Sequence, residues 1–275
     1  MGDKLKLFDQ FESLARFIKE KRACGKIYFM PNPGNWGDGL INYSTYEFFD
    51  HFDIDYNILN PKKRKYYYKL KNLTIDSKKD VLIYGGGGGW NSIWNFPLNK
   101  LSNDGLLSMF KEIIVLPSSY CNYLKSDKIS YFSRDKYNSL KNNSSALYCP
   151  DMAFYLGTTD LTNYTKSSSS GTGYFFRTDK ESSGKNYIPE ENLDISLLGD
   201  YLNHYHDFFK LIGQYDTIYT DRLHVCIGGH LLNKNVYFYE GSYFKNEAVY
   251  KSTLTKDRRV KFEKSFNYNL YSQSK

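Results

Sequence analysis

The sequence predicts an α/β protein with parallel sheets, and three observations carry that expectation. Short apolar runs of strand character alternate with segments of helical period along the 275 residues, the pattern of strand–helix–strand units. The residues of unusual chemistry follow the carboxyl ends of those runs, the edge at which open α/β sheets bind ligands. A hydrophobic content of 41% suits a substantial core, and the length leaves room for one large or two small domains.

The elements follow in order. Phe8, Phe11, Leu14, Phe17 and Ile18 recur at helical spacing among Asp9, Glu12, Arg16, Lys19 and Glu20, an amphipathic helix rather than a secretory signal. Lys26-Ile-Tyr-Phe-Met30 reads as a strand, followed by Asn35, Trp36, Gly37 and Asp38 and then a helix over 39–49, which Asp38 is placed to cap. Further strands are expected at 56–59, at 81–84 running into glycines 85–89 and Trp90, at 113–116 ending on Pro117-Ser118-Ser119, at 129–132 ending on Ser133-Arg134-Asp135, and at 146–149 before Pro150-Asp151.

The polar stretch 157–173 is the best linker candidate. Beyond it come Tyr174-Phe175-Phe176 with Arg177, an irregular loop to about 192, a helix near 197–212, a strand at 216–219, a helix from Val225, a strand at 235–239, and a helix from Lys245 to about 254. The last twenty residues give no clear pattern, and no internal repeat is seen. The reading is therefore two Rossmann-like domains with parallel sheets facing a cleft, 1–156 and 174–275, joined by 157–173.

Composition narrows the function. No stretch reaches the roughly 20 apolar residues of a membrane span. Cys24, Cys121, Cys149 and Cys226 are scattered without a Cys-x-x-Cys pair, which suits reduced thiols and a cytoplasmic protein, with the inner face of the membrane as the variant. The balance of 37 basic to 30 acidic residues gives +7, fitting anionic substrates or an anionic surface. Only Lys62-Lys63-Arg64-Lys65, running into Tyr66-Tyr67-Tyr68, is dense. It is the candidate for peripheral membrane contact; as a solvated loop it needs no partner, and nucleic acid is not expected.

Thr220-Asp221-Arg222-Leu223-His224 is the most informative segment. It lies between a strand and a helix, where free N–H groups and the helix dipole favour negative charge. Arg222 adds a two-pronged donor for carboxylate or phosphate, and His224 can move a proton near neutral pH. The plain alternative pairs Arg222 with a surface acid and buries His224. The helix decides for function: Leu223, Cys226, Ile227 and His230 share one face and point His230 to the core, while His224 lies with Gly228, which has no side chain to obstruct a ligand. Arg177 and Lys245, also at strand ends, would complete a three-cation site for a small dianion or trianion.

In the first half, Gly85, Gly86 and Gly87 would let backbone approach a phosphate or sugar, although the run matches neither a Walker loop nor a dinucleotide fingerprint. Trp36, Trp90 and Trp94 suit sugar rings or packing equally. Asp135 and Asp151 read as turn or capping residues. His204-x-His206 places its rings about 200° apart on a helix, so no metal site is expected, and the absence of Gly-x-Ser-x-Gly speaks against a serine hydrolase.

Taken in order, Gly34-Asn-Trp-Gly-Asp38, glycines 85–89, Leu116-Pro-Ser-Ser119, Ser133-Arg-Asp135, Cys149-Pro-Asp-Met-Ala-Phe154, Arg177, Thr220-Asp-Arg-Leu-His224 and Tyr243-Phe-Lys245-Asn246 resemble the polysaccharide pyruvyl transferase family. The match runs from about 26 to 254, and Arg-Leu-His with Lys-Asn some twenty residues later is its most specific part. Many members carry Gly-Gln-x-x-Gly-Pro where this chain has Leu-Pro-Ser-Ser, and the chain is short for the family.

The resemblance implies a fold like that of B-type glycosyltransferases, with phosphoenolpyruvate as donor, a hydroxyl pair of a glycan or lipid-linked oligosaccharide as acceptor, and no cofactor or metal. It implies that Arg222 and His224 hold the donor and that Arg177 matches the family's other donor-binding arginine; Leu223 and Lys245 complete the expected donor contacts. His224 is then the acid or base and Asp38 orients or deprotonates the acceptor. Asn35, Trp36, Gly85, Gly86, Gly87, Trp90, Ser118 and Arg134 are the expected acceptor or loop contacts. A B-type glycosyltransferase using a nucleotide sugar is the alternative, and a glycan-binding protein without turnover is a third reading.

Overall fold

The computed structural model describes residues 2–63, 74–103, 105–164, 170–267, 269 and 272. Most of the basic, tyrosine-rich run after Lys63 lies outside them, as do residues 165–169 of the expected linker. The chain divides into two compact units, Met1–Pro33 with Ser44–Tyr155, and Gly34–Tyr43 with Leu156–Lys275.

The first unit is built on a parallel sheet. Its strands are β1 (Ile27–Met30), β2 (Asn57–Ile58), β3 (Val81–Tyr84), β4 (Gly87–Trp90), β5 (Glu112–Tyr120), β6 (Ile129–Ser133) and β7 (Leu147–Tyr148). They lie in the order β2-β1-β3-β5-β6-β7, with β4 pairing on β5. β1 and β3 are buried at every position, as expected of parallel strands covered on both faces. One core cluster gathers Tyr28, Met30, Leu82, Tyr84, Trp90, Val115, Tyr120 and Tyr131. The first helix, Gly2–Arg22, buries Phe11, Leu14 and Ile18, the stripe its spacing predicts.

Two expectations change here. Pro117-Ser118-Ser119 is not a loop but the second part of β5. A register shift between Val115 and Ser118 accommodates the proline, the kind of position where a sheet tolerates a residue without N–H. The glycine run is not one open loop either, because Gly87–Trp90 pairs with that extension at Gly87↔Ser118 and Trp90↔Tyr120. Gly85 and Gly86 bring strands together: a Cβ would lie 2.4 Å from the Asn32 nitrogen at Gly85 and 2.5 Å from the Pro117 oxygen at Gly86. Backbone closeness explains both glycines without a ligand.

Arg134, expected as an acceptor contact, is buried. Its Nη1 pairs with Asp151 Oδ2 at 2.6 Å and its Nε donates to Ser119 Oγ at 2.8 Å. Asp151 also accepts from the Ala153 amide, and Asp135 from the Tyr137 and Ser139 amides, so both acids hold turns as read from sequence. Removing one member of a buried pair strands the other charge, at a cost of about 3–5 kcal/mol. Asp151→Asn should therefore lower the urea midpoint by that equivalent; a change under about 1 kcal/mol would show that the pair contributes little.

The second unit carries a smaller parallel sheet, order β11-β10-β9-β8, made of β8 (Thr172–Phe175), β9 (Thr217–Thr220), β10 (Asn235–Tyr239) and β11 (Val260–Glu263). The expected helix at 197–212 is two pieces, a short turn Ile195–Leu198 and a helix Tyr205–Ile212 capped by His204 through its Nδ1. Between them Asp200 bridges to Asn35. The last strand escaped the sequence reading because Val-Lys-Phe-Glu is a half-exposed edge with only Val260 buried.

Residues 34–43 also differ from expectation, belonging to this unit rather than the first. The reason is local. Trp36 stacks edge-on against Phe208 at 5.6 Å and donates to the His204 carbonyl. Asn42 Nδ2 reaches the Tyr201 carbonyl and the Tyr43 hydroxyl that of Leu202. The four cysteines are free thiols. No helix among the described residues is long and apolar enough to cross a membrane.

Candidate active site

Arg177 and Arg222 become neighbours through strand register. β8 and β9 pair in parallel with Phe175 opposite Thr220, and each arginine lies two residues beyond its member of that pair. Thr220 Oγ1 seals the junction by donating to the Phe175 carbonyl at 2.7 Å and accepting from the Arg222 amide at 2.9 Å. Lys245 follows β10, the next strand in the sheet, and opens the helix Lys245–Val249. Asn246 Nδ2 donates to the carbonyls of Asp221 and Tyr239, tying the ends of β9 and β10 together.

The three cations meet carboxylates that sequence reasoning did not place. Arg177 Nη1 lies 2.8 Å from Glu181 Oε1, and its Nε 3.3 Å from Asp179 Oδ1. Arg222 Nη2 lies 2.7 Å from Asp194 Oδ2 and 3.0 Å from Asp179 Oδ2. Lys245 Nζ pairs with the same Glu181 oxygen that Arg177 uses. Burial acts to raise the Glu181 carboxyl, but Lys245 and Arg177 outweigh it and hold it well below the usual carboxylate range. Asp194 is likewise lowered, its burial overcome by Arg222 and by bonds from Thr178 and Ser196. Asp221 goes the other way: burial raises it although the Arg177 amide donates to its Oδ1. The signal available in the sequence was Asp179-x-Glu181 just after Arg177, which reads as an ordinary polar turn.

His224 lies in the first turn of the helix Leu223–Leu231, whose cap is Arg222 with no side-chain bond to the first amides. Against its ring lies the turn Asn35–Asp38. A Cβ on Gly37 would sit 2.3 Å from His224 Nδ1 and 3.0 Å from Asn35 Oδ1. That turn starts the helix Trp36–His51 with a reciprocal cap: Asn35 Oδ1 accepts from the Gly37 amide at 2.8 Å, and Asp38 Oδ2 from the Asn35 amide at 3.1 Å. Asn35, Trp36, Asp38 and His224 are thus parts of one unit. Gly37→Ala should push the imidazole aside. Misplacement by about 1 Å can cost on the order of 10²-fold, so turnover should fall ten- to hundredfold with the melting temperature little changed; unaltered turnover would show that the ring position is not critical.

The polysaccharide pyruvyl transferase family model matches residues 35–243. The chain belongs to the polysaccharide pyruvyl transferase family. A solved structure of an uncharacterized protein from Klebsiella pneumoniae is similar at 28% identity with a TM-score of 0.74, covering 96% of this chain and 99% of that one. No curated protein matches.

Gly85, Gly86, Gly87, Trp90, Ser118 and Arg134 belong to the first unit. Trp90 is 1% exposed and packed among Tyr84, Tyr120 and Tyr131, which leaves no ring face for a sugar. Ser118 is buried, its hydroxyl on the Leu116 carbonyl. Two readings of the helix after Arg222 also change. His230 is only partly buried and pairs with Asp257 at 2.6 Å. Gly228 faces the neighbouring helix, where a Cβ would lie 2.7 Å from Ile212 Cδ1. Its bareness serves helix packing rather than a ligand. His204 and His206 are engaged locally, the second through the Tyr164 hydroxyl at 2.5 Å.

Proposed function

We propose that this pyruvyl transferase takes its pyruvyl group from phosphoenolpyruvate and sets it as a ketal across two hydroxyls of a glycan, a cell-surface polysaccharide or its lipid-linked precursor. One observation carries the reading: Arg177 and Arg222 converge on a single carboxylate oxygen, Asp179 Oδ2, at 3.4 and 3.0 Å. Two guanidinium groups that share one anionic oxygen are arranged to hold the carboxylate or phosphate of such a donor. Lys245 adjoins them through Glu181, and His224 stands two residues beyond Arg222.

The reaction needs a proton on the methylene carbon and attack by one sugar hydroxyl on the carbon bearing phosphate. Phosphate then leaves with its bonding pair, and the second hydroxyl closes the ketal. Of the two hydroxyl protons released, one balances the new methyl group and one leaves with phosphate. His224 is the proposed proton carrier, and Arg177, Arg222 and Lys245 are the groups proposed to face the donor's carboxylate and phosphate, with no cofactor invoked. The turn Asn35–Asp38, placed against His224, fits a role in aligning that ring.

Incubating the protein with phosphoenolpyruvate and a panel of free and lipid-linked oligosaccharides, read by mass, should show the gain of one pyruvyl ketal with equimolar phosphate. Nucleotide sugars run in parallel should release no nucleotide. Transfer from a nucleotide sugar alone would overturn the donor assignment.

A further inference from the structure

Asp179 stands apart from the other acids of the cation cluster. Asp194 is held by five donors, namely Arg222 Nη2, the Thr178 amide and hydroxyl, and the Ser196 amide and hydroxyl, and its side chain is 3% exposed. Glu181 is equally enclosed, with Arg177 and Lys245 on the same oxygen. The Asp179 side chain is 21% exposed. Besides the arginines it takes a bond from the Glu181 amide at 2.9 Å, and it stands on a turn in which the Ser182 amide donates to the Asp179 carbonyl at 2.9 Å. A change of its side-chain rotamer would release both guanidinium groups from Asp179 without breaking a strand or helix, leaving Arg222 on Asp194 and Arg177 on Glu181.

Charge makes that movement necessary. Asp179, Glu181 and Asp194 match Arg177, Arg222 and Lys245 one for one. A dianionic or trianionic guest entering beside all three carboxylates would meet no excess positive charge among these groups. The oxygen shared by the arginines is also the place such a guest would have to take. Arg222 Nε, buried and with no hydrogen-bond partner among the described residues, is a further donor that the internal carboxylates leave unused.

We infer that the Asp179 carboxylate competes with the anionic donor for Arg177 and Arg222, and so sets how tightly the site takes a carboxylate or phosphate. The inference rests on the donor reading given above. By holding the arginines it screens out weak anions such as free phosphate, and it yields to a guest that engages both guanidinium groups and Lys245 together. Asp194 and Glu181, by contrast, stay in place and fix the geometry.

The test is calorimetric titration of the 275-residue chain and its Asp179→Asn and Asp179→Ala variants with phosphoenolpyruvate and, separately, inorganic phosphate. An internal competitor lowers apparent affinity by the fraction of time the site is free, so both variants should bind about three- to thirtyfold more tightly, phosphate gaining at least as much as phosphoenolpyruvate. Circular dichroism melts identify a variant that has lost its fold, and the other variant then decides. Arg222→Ala separates the two claims. If that variant loses anion binding while the Asp179 variants bind no more tightly than the parent, competition is refuted and the donor reading stands. If no protein in the set binds either anion, both claims fall.

Discussion

Replacing Arg222 with alanine should leave a folded protein that transfers pyruvyl groups roughly 30- to several-thousand-fold less efficiently. The residue is nearly buried and its guanidinium serves two carboxylates, Asp194 at 2.7 Å and Asp179 at 3.0 Å. Losing the desolvated, charge-assisted contact that Arg222 is proposed to make to the bound donor costs about 2–5 kcal/mol, which converts to that range in kcat/KM. Loss of Arg222 also leaves Asp194 facing the donor with its main neutralising partner gone. Burial, which already acts to raise that carboxyl, is then less opposed, so Asp194 should titrate higher and repel the donor more weakly as pH falls. The loss in kcat/KM should accordingly shrink as pH falls toward the range in which that carboxyl takes up a proton. Arg222→Lys should recover only part of the activity, because both carboxylates use Nη2 alone and an ammonium lacks the further Nε and Nη1 donors that the guanidinium keeps for an anion. Steady-state kinetics on the purified variants, with a thermal melt to verify folding, decide the matter; kcat/KM within threefold of the parent for alanine would remove Arg222 from the site.

The parallel α/β architecture was legible because its cause is local. β1 and β3 are unbroken apolar runs, as strands buried on both faces must be, and the first helix shows its buried stripe as Phe11, Leu14 and Ile18. Arg177, Arg222 and Lys245 were legible as a set for a related reason: each follows a strand, and parallel register brings strand ends together. What the sequence hid depends on partners distant along the chain. Pro117 looks like a strand terminator until the glycine run supplies β5 with a neighbour. Trp90 offers a ring face until three tyrosines cover it. Glu181 and Asp194 look like loop acids until the fold sets them on the arginines and the lysine. A sequence reading counts cations readily, but it cannot see which of them arrive already paired.

His224→Gln and His224→Asn should separate binding from chemistry. The ring is held at the first turn of its helix with Nδ1 against the Gly37 backbone, on the unit that carries all three cations. An amide can replace one hydrogen bond of an imidazole but cannot take up and release a proton near neutral pH. Phosphoenolpyruvate affinity, measured by calorimetry, should therefore stay within a few-fold of the parent. Turnover should fall by about 10²–10⁴, the usual worth of general acid–base help. A fall in kcat with donor affinity and melting temperature both retained is a readout that a packing role would not give. A purely structural imidazole would instead give variants with lowered melting temperature and donor binding weakened alongside turnover. Near-parental turnover in folded protein would transfer the proton to another group, and Asp38 would be the next residue to replace. Its Oδ2 is engaged by the Asn35 amide, so Asp38→Asn, which keeps an acceptor oxygen for that bond, would test its chemistry with little disturbance of the helix start.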